Sequence, residues 1–574
     1  MSLVASLSDL FYPAPLILLL TLLLLTHHYL RRARDPLRTL PTLPRSLLHP
    51  LDVLHCHRTG ADPYAKLATL VQDPRHRQLC VSRGWDATAV IVSDPSLIRD
   101  LLVRRLANYG AGHTVQRSSA IRETNEMFSG GPHVGNTRDD DWRWRRANLV
   151  PLFQPRRLVP ALLPFLCGRV NRMCEQLERC AKEGGTLNVD AEMMIMTLDV
   201  INKYVFGLGN DELDFQDVGG VHKLGPQFGL VIRHTFSPWP RLPLIGRTHW
   251  VRQVFTTSRA PIDAFISRSL AHTLSDPTLL VGTVPPVAAC LAPLYAPLSD
   301  PTNYANLRRD LYTLVFAGHD TTSHTAAFAF GLLARRRDLQ ERCAKEAREV
   351  LGEGVINPEE IKMEMLARLS YISAVIREVQ RLYPAAAFVS VEPKVDIEIG
   401  GYVVPAGRFP FYYSNLVYPE ITFSSSPDNN TPTLHPLRIG TEIMCNIRGA
   451  YALSTLFPDP SKFDPSRWLS NSSASIFEDL ASAAAAPTGE SVAEPAKDTP
   501  SSASNPLPEL AFGLGAHACL GRNLAMLELR AVLAIVLARF ELLPREGEEN
   551  EDVKSMTVFT LAPVGGVWLR VRER

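Results

Sequence analysis

The chain has 574 residues, of which 46% are hydrophobic and 21% charged, and its formal net charge is +1. Such a balance excludes the strong basic excess of a nucleic-acid binder, and the apolar content excludes general disorder. Nine cysteines with no C-x-x-C pair are too sparse for a disulfide-framed secreted scaffold or a zinc site of that pattern, and point to a reducing compartment.

From Leu10 to Tyr29 run twenty residues without Lys, Arg, Asp or Glu, about the length a helix needs to cross a bilayer core of ~30 Å. Arg31, Arg32 and Arg34 follow at once, which places the downstream chain on the cytoplasmic side. A cleaved secretory signal would carry its basic residues before the apolar run. The expected organisation is a single-pass membrane anchor over residues 1–30 and a basic hinge over 31–50, followed by a catalytic domain over 51–574. Pro36, Pro41, Pro44 and Pro50 stiffen that hinge.

No period repeats along the rest of the chain, and helical patterns dominate. Strands are expected at Ala89 to Val92, Val395 to Val404 and Val567 to Val571, which makes the fold mainly α with small β-sheets, an α+β class. Two stretches break the pattern. Arg408 to Gly440 is aperiodic and dense in aromatics, Pro and Ser, whereas Asn471 to Pro508 is rich in Ser, Ala and Pro and nearly free of large apolar residues, as in a low-complexity surface loop.

Four groups of residues carry the chemistry, in chain order. The run DWRWRRANLVPLF reads as a helix bearing Trp142 and Arg146, with a plain basic amphipathic helix as its alternative. The apolar stretch Leu311 to Leu333 contains AGHDTT; small Ala317 and Gly318 leave room for a flat ligand, while Asp320 and Thr321 put a carboxylate and a hydroxyl on an apolar helix, with hydroxyls bonded back to the preceding turn as the alternative. Glu378 and Arg381 stand three apart in the helical pattern Leu366 to Leu382 and share a face. Finally, FGLGAHACLG places Cys519 in a loop with Gly513, Gly515 and Gly521, which allow sharp turning and close approach. The helix start beyond it, from Leu520 to about Leu537, favours sulfur as an anion.

The pattern F-x-x-G-x-x-x-C-x-G resembles the cysteine-ligand loop of the cytochromes P-450, the haem-thiolate monooxygenases, and the resemblance covers most of the chain from Pro50 to Arg574. It implies a haem b whose iron is ligated axially by Cys519, with Phe512, Gly515, His517 and Gly521 forming the loop around it and His517 bonding a propionate. It further implies that Ala317 and Gly318 line the cofactor, that Asp320 and Thr321 are catalytic in moving protons to iron-bound dioxygen, and that Trp142 and Arg146 reach a propionate. Glu378 and Arg381, together with Arg467 of FDPSRW, would form a buried structural network.

The implied activity is insertion of one atom of dioxygen into a lipophilic small molecule, in secondary or lipid metabolism, at the endoplasmic reticulum membrane. Electrons would come from NADPH through an NADPH-cytochrome reductase, with cytochrome b5 as a second donor, since no G-x-G-x-x-G fingerprint is present. The alternatives are a haem-thiolate isomerase, dehydratase or phenol-coupling enzyme, or a non-catalytic haem-binding protein disabled by its inserts. Specificity loops are expected within Tyr109 to Asn136, Phe206 to Pro243 and Pro384 to Glu392.

Two departures stand out. Val391 occupies the place where many members carry an Arg for the second propionate, so that contact must come from elsewhere. Pro405-Ala406-Gly407 would join naturally to Thr441-Glu442-Ile443-Met444, which makes 408–440 an insertion or a translated, unspliced intron.

Overall fold

The computed structural model describes residues 40–41, 62, 65–83, 88–106, 114–209, 224–235, 249–281, 284–352, 357, 360–406, 441–469, 507–557 and 559–574. The apolar segment Leu10 to Tyr29, the hinge over 31–50 (apart from 40–41), the segment 408–440 and most of the stretch 471–508 lie outside the described residues. Among the described residues no helix is long and apolar enough to cross a membrane.

The architecture is α+β. Ten helices carry most of the description: α1 (Ser119–Ser129), α2 (Asp139–Leu149), α3 (Pro155–Glu183), α4 (Val189–Phe206), α5 (Leu224–Thr235), α6 (His249–Ser275), α7 (Pro301–Ala334), α8 (Arg337–Leu351), α9 (Ser370–Leu382) and α10 (Arg522–Arg539). Around them lie β1 (Leu79–Arg83), β2 (Thr88–Val92), β3 (Val115–Arg117), β4 (Thr186–Asn188), β5 (Phe388–Pro393), β6 (Ile397–Ile399), β7 (Tyr402–Val404), β8 (Glu442–Asn446), β9 (Phe540–Pro544), β10 (Ser555–Thr557), β11 (Leu561–Pro563) and β12 (Trp568–Glu573).

A five-stranded sheet has the order β1-β2-β8-β5-β3, antiparallel except where β2 runs parallel to β8. A smaller sheet has the order β4-β12-β9, and β6-β7 and β10-β11 are hairpins. The strand-like run from Val395 to Val404, interrupted by a Gly pair, is the β6-β7 hairpin, because Gly400 and Gly401 both adopt positive φ and reverse the chain. The helix expected from Leu366 to Leu382 is broken at Arg368 and Leu369, and α9 begins at Ser370. The stretch expected to loop as far as Pro508 ends earlier, in a 3₁₀ turn over Leu507–Phe512.

Helix α7 has 34 residues and is about 51 Å long at 1.5 Å per residue. Its start is well specified: the Asp300 side chain accepts from the N–H groups of Thr302 (2.7 Å) and Asn303 (3.3 Å), and Pro301 takes the first helical position. From His319 to Ala334 nearly every side chain is buried, since α4, α9 and α10 pack around it. Helix α10 is buried from Leu527 to Ala538 and mostly apolar there, but the buried span also includes the charged side chains of Glu528 and Arg530.

Helix α4 begins at the Asn188 cap, whose side chain accepts from Asp190 N at 3.2 Å, and it lies along α7. A Cβ at Gly318 would come within 2.6 Å of the Ile201 side chain on α4. Gly318, expected to make room for a flat ligand, therefore faces α4, and its missing side chain serves the packing of two helices.

Candidate functional site

The loop that carries Cys519 is shaped by its backbone. Gly513 and Gly515 have φ of +73° and +68°, and a Cβ at Gly515 would stand 2.7 Å from the Leu102 carbonyl oxygen. Two independent constraints thus require glycine at 515. Gly521 differs from the expectation: its φ is −85°, an ordinary value, and it is the N-cap position of α10. The Cys519 N–H donates to the Phe512 carbonyl at 2.6 Å, closing the loop between them. Arg522 stands 5.9 Å from the Phe512 ring centroid.

Cys519 is exposed within this fold, and so is Ala317, although its neighbours Phe316 and His319 on α7 are buried. An exposed alanine midway along a buried helix marks a void beside α7. Depth in the protein pushes the Cys519 thiol up, while the Gly521 amide, the Arg146 and Arg522 guanidinium groups and the Arg522 amide pull against it.

Around the loop the chain gathers basic and aromatic groups. Arg146 of α2 donates through Nη2 to the Ala518 carbonyl at 2.6 Å, and the Trp142 ring, one turn earlier, lies 4.1 Å from the His517 ring at 31°. Arg117 of β3 donates through Nε to His517 Nδ1 at 3.1 Å and through Nη1 to the Gly135 carbonyl. Burial, then Arg117 and Arg146, push His517 down to about 2, so its ring is neutral here. Burial and the nearby Arg146 lower Arg117 to about 10.

Arg117 is a candidate site residue that the linear pattern hid. Strand β3 pairs with β5 so that Arg117 stands opposite Val391, the position where an arginine was expected. The strand that carries it is anchored by Glu392, which accepts from Gln116 Nε2 at 2.6 Å, Ser119 N at 2.9 Å and Arg138 Nη2 at 3.1 Å. No periodicity in a three-residue strand signals this pairing; only the cross-strand register does.

On α7, the hydroxyl of Thr321 donates back to the Ala317 carbonyl at 3.2 Å. Asp320 is buried, with one oxygen 3.6 Å from His324 Nε2 and the other accepting from the Thr560 hydroxyl. Above the same helix Phe128 of α1, Phe228 of α5, and Phe316 and Phe559 form an aromatic wall with ring-centroid separations of 4.6 Å (Phe128–Phe316) to 6.2 Å (Phe128–Phe228). Phe128 and Phe228 come from two of the stretches expected to govern specificity.

Behind the loop, Glu378 and Arg381 form a bidentate pair with both separations at 2.8 Å. Arg381 also donates to the carbonyls of Tyr451 (3.1 Å), Pro460 (2.7 Å) and Lys462 (3.1 Å). Arg467 lies 3.4 Å from Glu378, which further accepts from the Asp464 amide and the Trp468 indole, each at 2.9 Å. Sequence reasoning grouped Glu378, Arg381 and Arg467 but missed Trp468, whose indole occupies a carboxylate lone pair.

A family model described as Cytochrome P450 matches residues 78–247, 296–409 and 428–570, well over half of the chain. The chain belongs to the cytochrome P450 family. Two solved P450 structures share the fold: a cytochrome P450 named CYP102L1 (TM-score 0.63, 19% identity, 90% of this chain and 99% of that one) and retinoic-acid-bound cyanobacterial CYP120A1 (TM-score 0.63, 20% identity, 89% and 95%). Among curated relatives, Cytochrome P450 734A6 of Oryza sativa subsp. japonica is 25% identical over 472 residues, 78% of this chain and 72% of the relative. Cytochrome P450 4F12 of Homo sapiens is 28% identical over 266 residues, which span 46% of this chain and only 38% of the human protein.

P450 family and fold imply a cysteine-ligated haem, and the donor set fits one. Haem presents a metal that takes a thiolate and two carboxylates that need cations. Here an exposed cysteine lies in the loop that Arg117 and Arg146 hold through His517 and the Ala518 carbonyl, and neither arginine pairs with a carboxylate among the described residues. Two half-buried guanidinium groups without a carboxylate partner carry a desolvation cost, which an incoming dianion would offset.

Proposed function

We propose that this P450 is a membrane-anchored haem-thiolate monooxygenase that inserts one atom of dioxygen into a lipophilic substrate and reduces the other to water. The observation that carries this reading is Cys519 exposed beside half-buried Arg117, Arg146 and His517 and buried Trp142, where neither arginine pairs with a carboxylate among the described residues. Cys519 would be the axial ligand, and Arg117, Arg146 and His517 would hold the propionates, with Arg117 supplying the cation absent at Val391. A haem held there supplies reductive activation of dioxygen. Ala317 leaves α7 open on that side, Asp320 and Thr321 would help protons reach it, and the wall of Phe128, Phe228, Phe316 and Phe559 would orient an apolar substrate and exclude water.

Electrons would come from NADPH through a membrane reductase, with cytochrome b5 as a second donor. The segment Leu10 to Tyr29 would be the anchor at the endoplasmic reticulum, 31–50 the hinge and 51–574 the catalytic domain. The segment 408–440 reads as an insertion or retained intron, and the family match itself breaks off at 409 and resumes at 428. A messenger RNA lacking the segment would establish the intron; one that always carries it would exclude it.

The deciding experiment is the reduced carbon-monoxide difference spectrum of the wild type and of Cys519→Ala. A strongly red-shifted Soret band in the wild type that is lost in the variant is expected. A wild type without that band overturns the reading.

A further inference from the structure

His324 lies one turn beyond Asp320 on α7, and its ring is clamped between two carboxylates. Nδ1 is 2.9 Å from Asp190 Oδ1, in the first turn of α4, and Nε2 is 3.6 Å from Asp320 Oδ1. The hydroxyl of Thr560, in the loop between β10 and β11, donates to the other Asp320 oxygen. Both oxygens of this buried carboxylate are therefore engaged, from its own helix and from the β10-β11 loop, and His324 ties the arrangement to α4. The Thr321 hydroxyl bonds to the Ala317 carbonyl.

We propose that His324, braced by Asp190, is a positioning residue that keeps Asp320 ionised and fixed in place for proton supply to the cofactor side of α7. This rests on the monooxygenase reading above, in which Asp320 relays protons toward the cofactor side. An isolated carboxylate buried at this depth would be neutral, because burial disfavours its charge. Burial pushes Asp320 up, but the His324 charge and hydrogen bond, then His319 and the Thr560 hydroxyl, bring it below the ordinary carboxylate range. Burial likewise disfavours a charged His324, yet Asp320 and Asp190 raise it to about 10. The groups facing the ring are Asp190 from α4 and Asp320 and His319 on α7, with Thr560 acting through Asp320.

The test uses the haem-loaded enzyme with its reductase and NADPH, without added substrate, and measures how consumed dioxygen partitions between peroxide and water. His324→Gln is expected to shift the partition severalfold toward peroxide, to raise its solvent isotope effect and to add an ionisation near neutral pH, where Asp320 would now titrate. A merely structural role moves none of these three. Nuclear magnetic resonance of labelled histidine in the diamagnetic reduced carbon-monoxide complex gives an independent readout. His324 should stay protonated well above neutrality and lose that protection in Asp190→Asn.

The red-shifted Soret band of the same samples separates two failures. A wild type lacking it overturns the monooxygenase reading itself. Variants that keep it while partition, isotope effect and pH profile stay unchanged overturn the role of His324, as does a His324 that titrates at an ordinary pH in the wild type. If His324→Gln does not hold haem, Thr560→Val and Asp190→Asn, which leave the imidazole in place, carry the same test, and both must shift the partition toward peroxide.

Discussion

Two regions of this P450 are built from the same residue type and treat it in opposite ways. Behind the cysteine loop, Arg381 is saturated: a bidentate carboxylate and three backbone carbonyls take up its donors, and Glu378 is matched by Arg381, Arg467, Trp468 and the Asp464 amide. By contrast, Arg117 and Arg146 are half-buried, have carbonyl and imidazole acceptors but no carboxylate partner among the described residues, and repel each other. The first region is complete as a protein; on the proposal above, the second would be completed by the cofactor's carboxylates. Arginine burial alone therefore says little about function, whereas the state of its charge balance says much.

The comparison breaks most sharply at Glu378. Replacing it by Ala leaves buried Arg381 uncompensated, and the expected cost is about 3–5 kcal/mol in both the haem-free and haem-loaded protein. Denaturant unfolding of the two forms checks it, and a loss confined to the loaded form would contradict the structural assignment. Trp468→Phe removes a single hydrogen bond to a charged partner, and about 1.5–3 kcal/mol is expected by the same measurement.

Arg117→Ala should behave in the opposite sense. The haem-free protein is expected to keep or gain stability, because a half-buried like-charge contact disappears, while haem dissociates about ten- to a hundredfold faster, the range for losing a partner that supports a bound group. Transfer of haem to an excess of apomyoglobin measures that rate. Equal destabilisation of both forms would place Arg117 with the structural arginines.

The smallest expected effect is a pH dependence at His324. Its folded pKa lies above its unfolded value, so the stability it contributes is complete below about pH 6.5. That contribution is lost as pH rises toward about 10. Unfolding midpoints of the haem-free protein should fall across this window, and His324→Gln should flatten the decline.

How much of this could be read along the chain depends on the range of the contacts. The Cys519 loop, α7, α10 and the Glu378-Arg381 pair were legible because each depends on neighbours within a few residues: glycine turns, helical periodicity and an i,i+3 face. The β6-β7 hairpin was legible as extended chain, but its reversal depended on the two glycines adopting positive φ. Gly318 was misread because a small residue on a helix looks the same whether it faces a ligand or a second helix; the packing of Ile201 against it decides.

The sequence by itself determined the family, the thiolate loop, the long helix with its acid and hydroxyl, and the paired Glu and Arg, all of them local patterns. Only the tertiary structure decided that Arg117 faces Val391 across a strand pair, since the flanking Gln116-Glu392 bond joins residues 276 apart. It alone also brought Asp190 to His324, 134 residues away. Burial and charge balance are properties of the surroundings, and long-range packing supplies those surroundings.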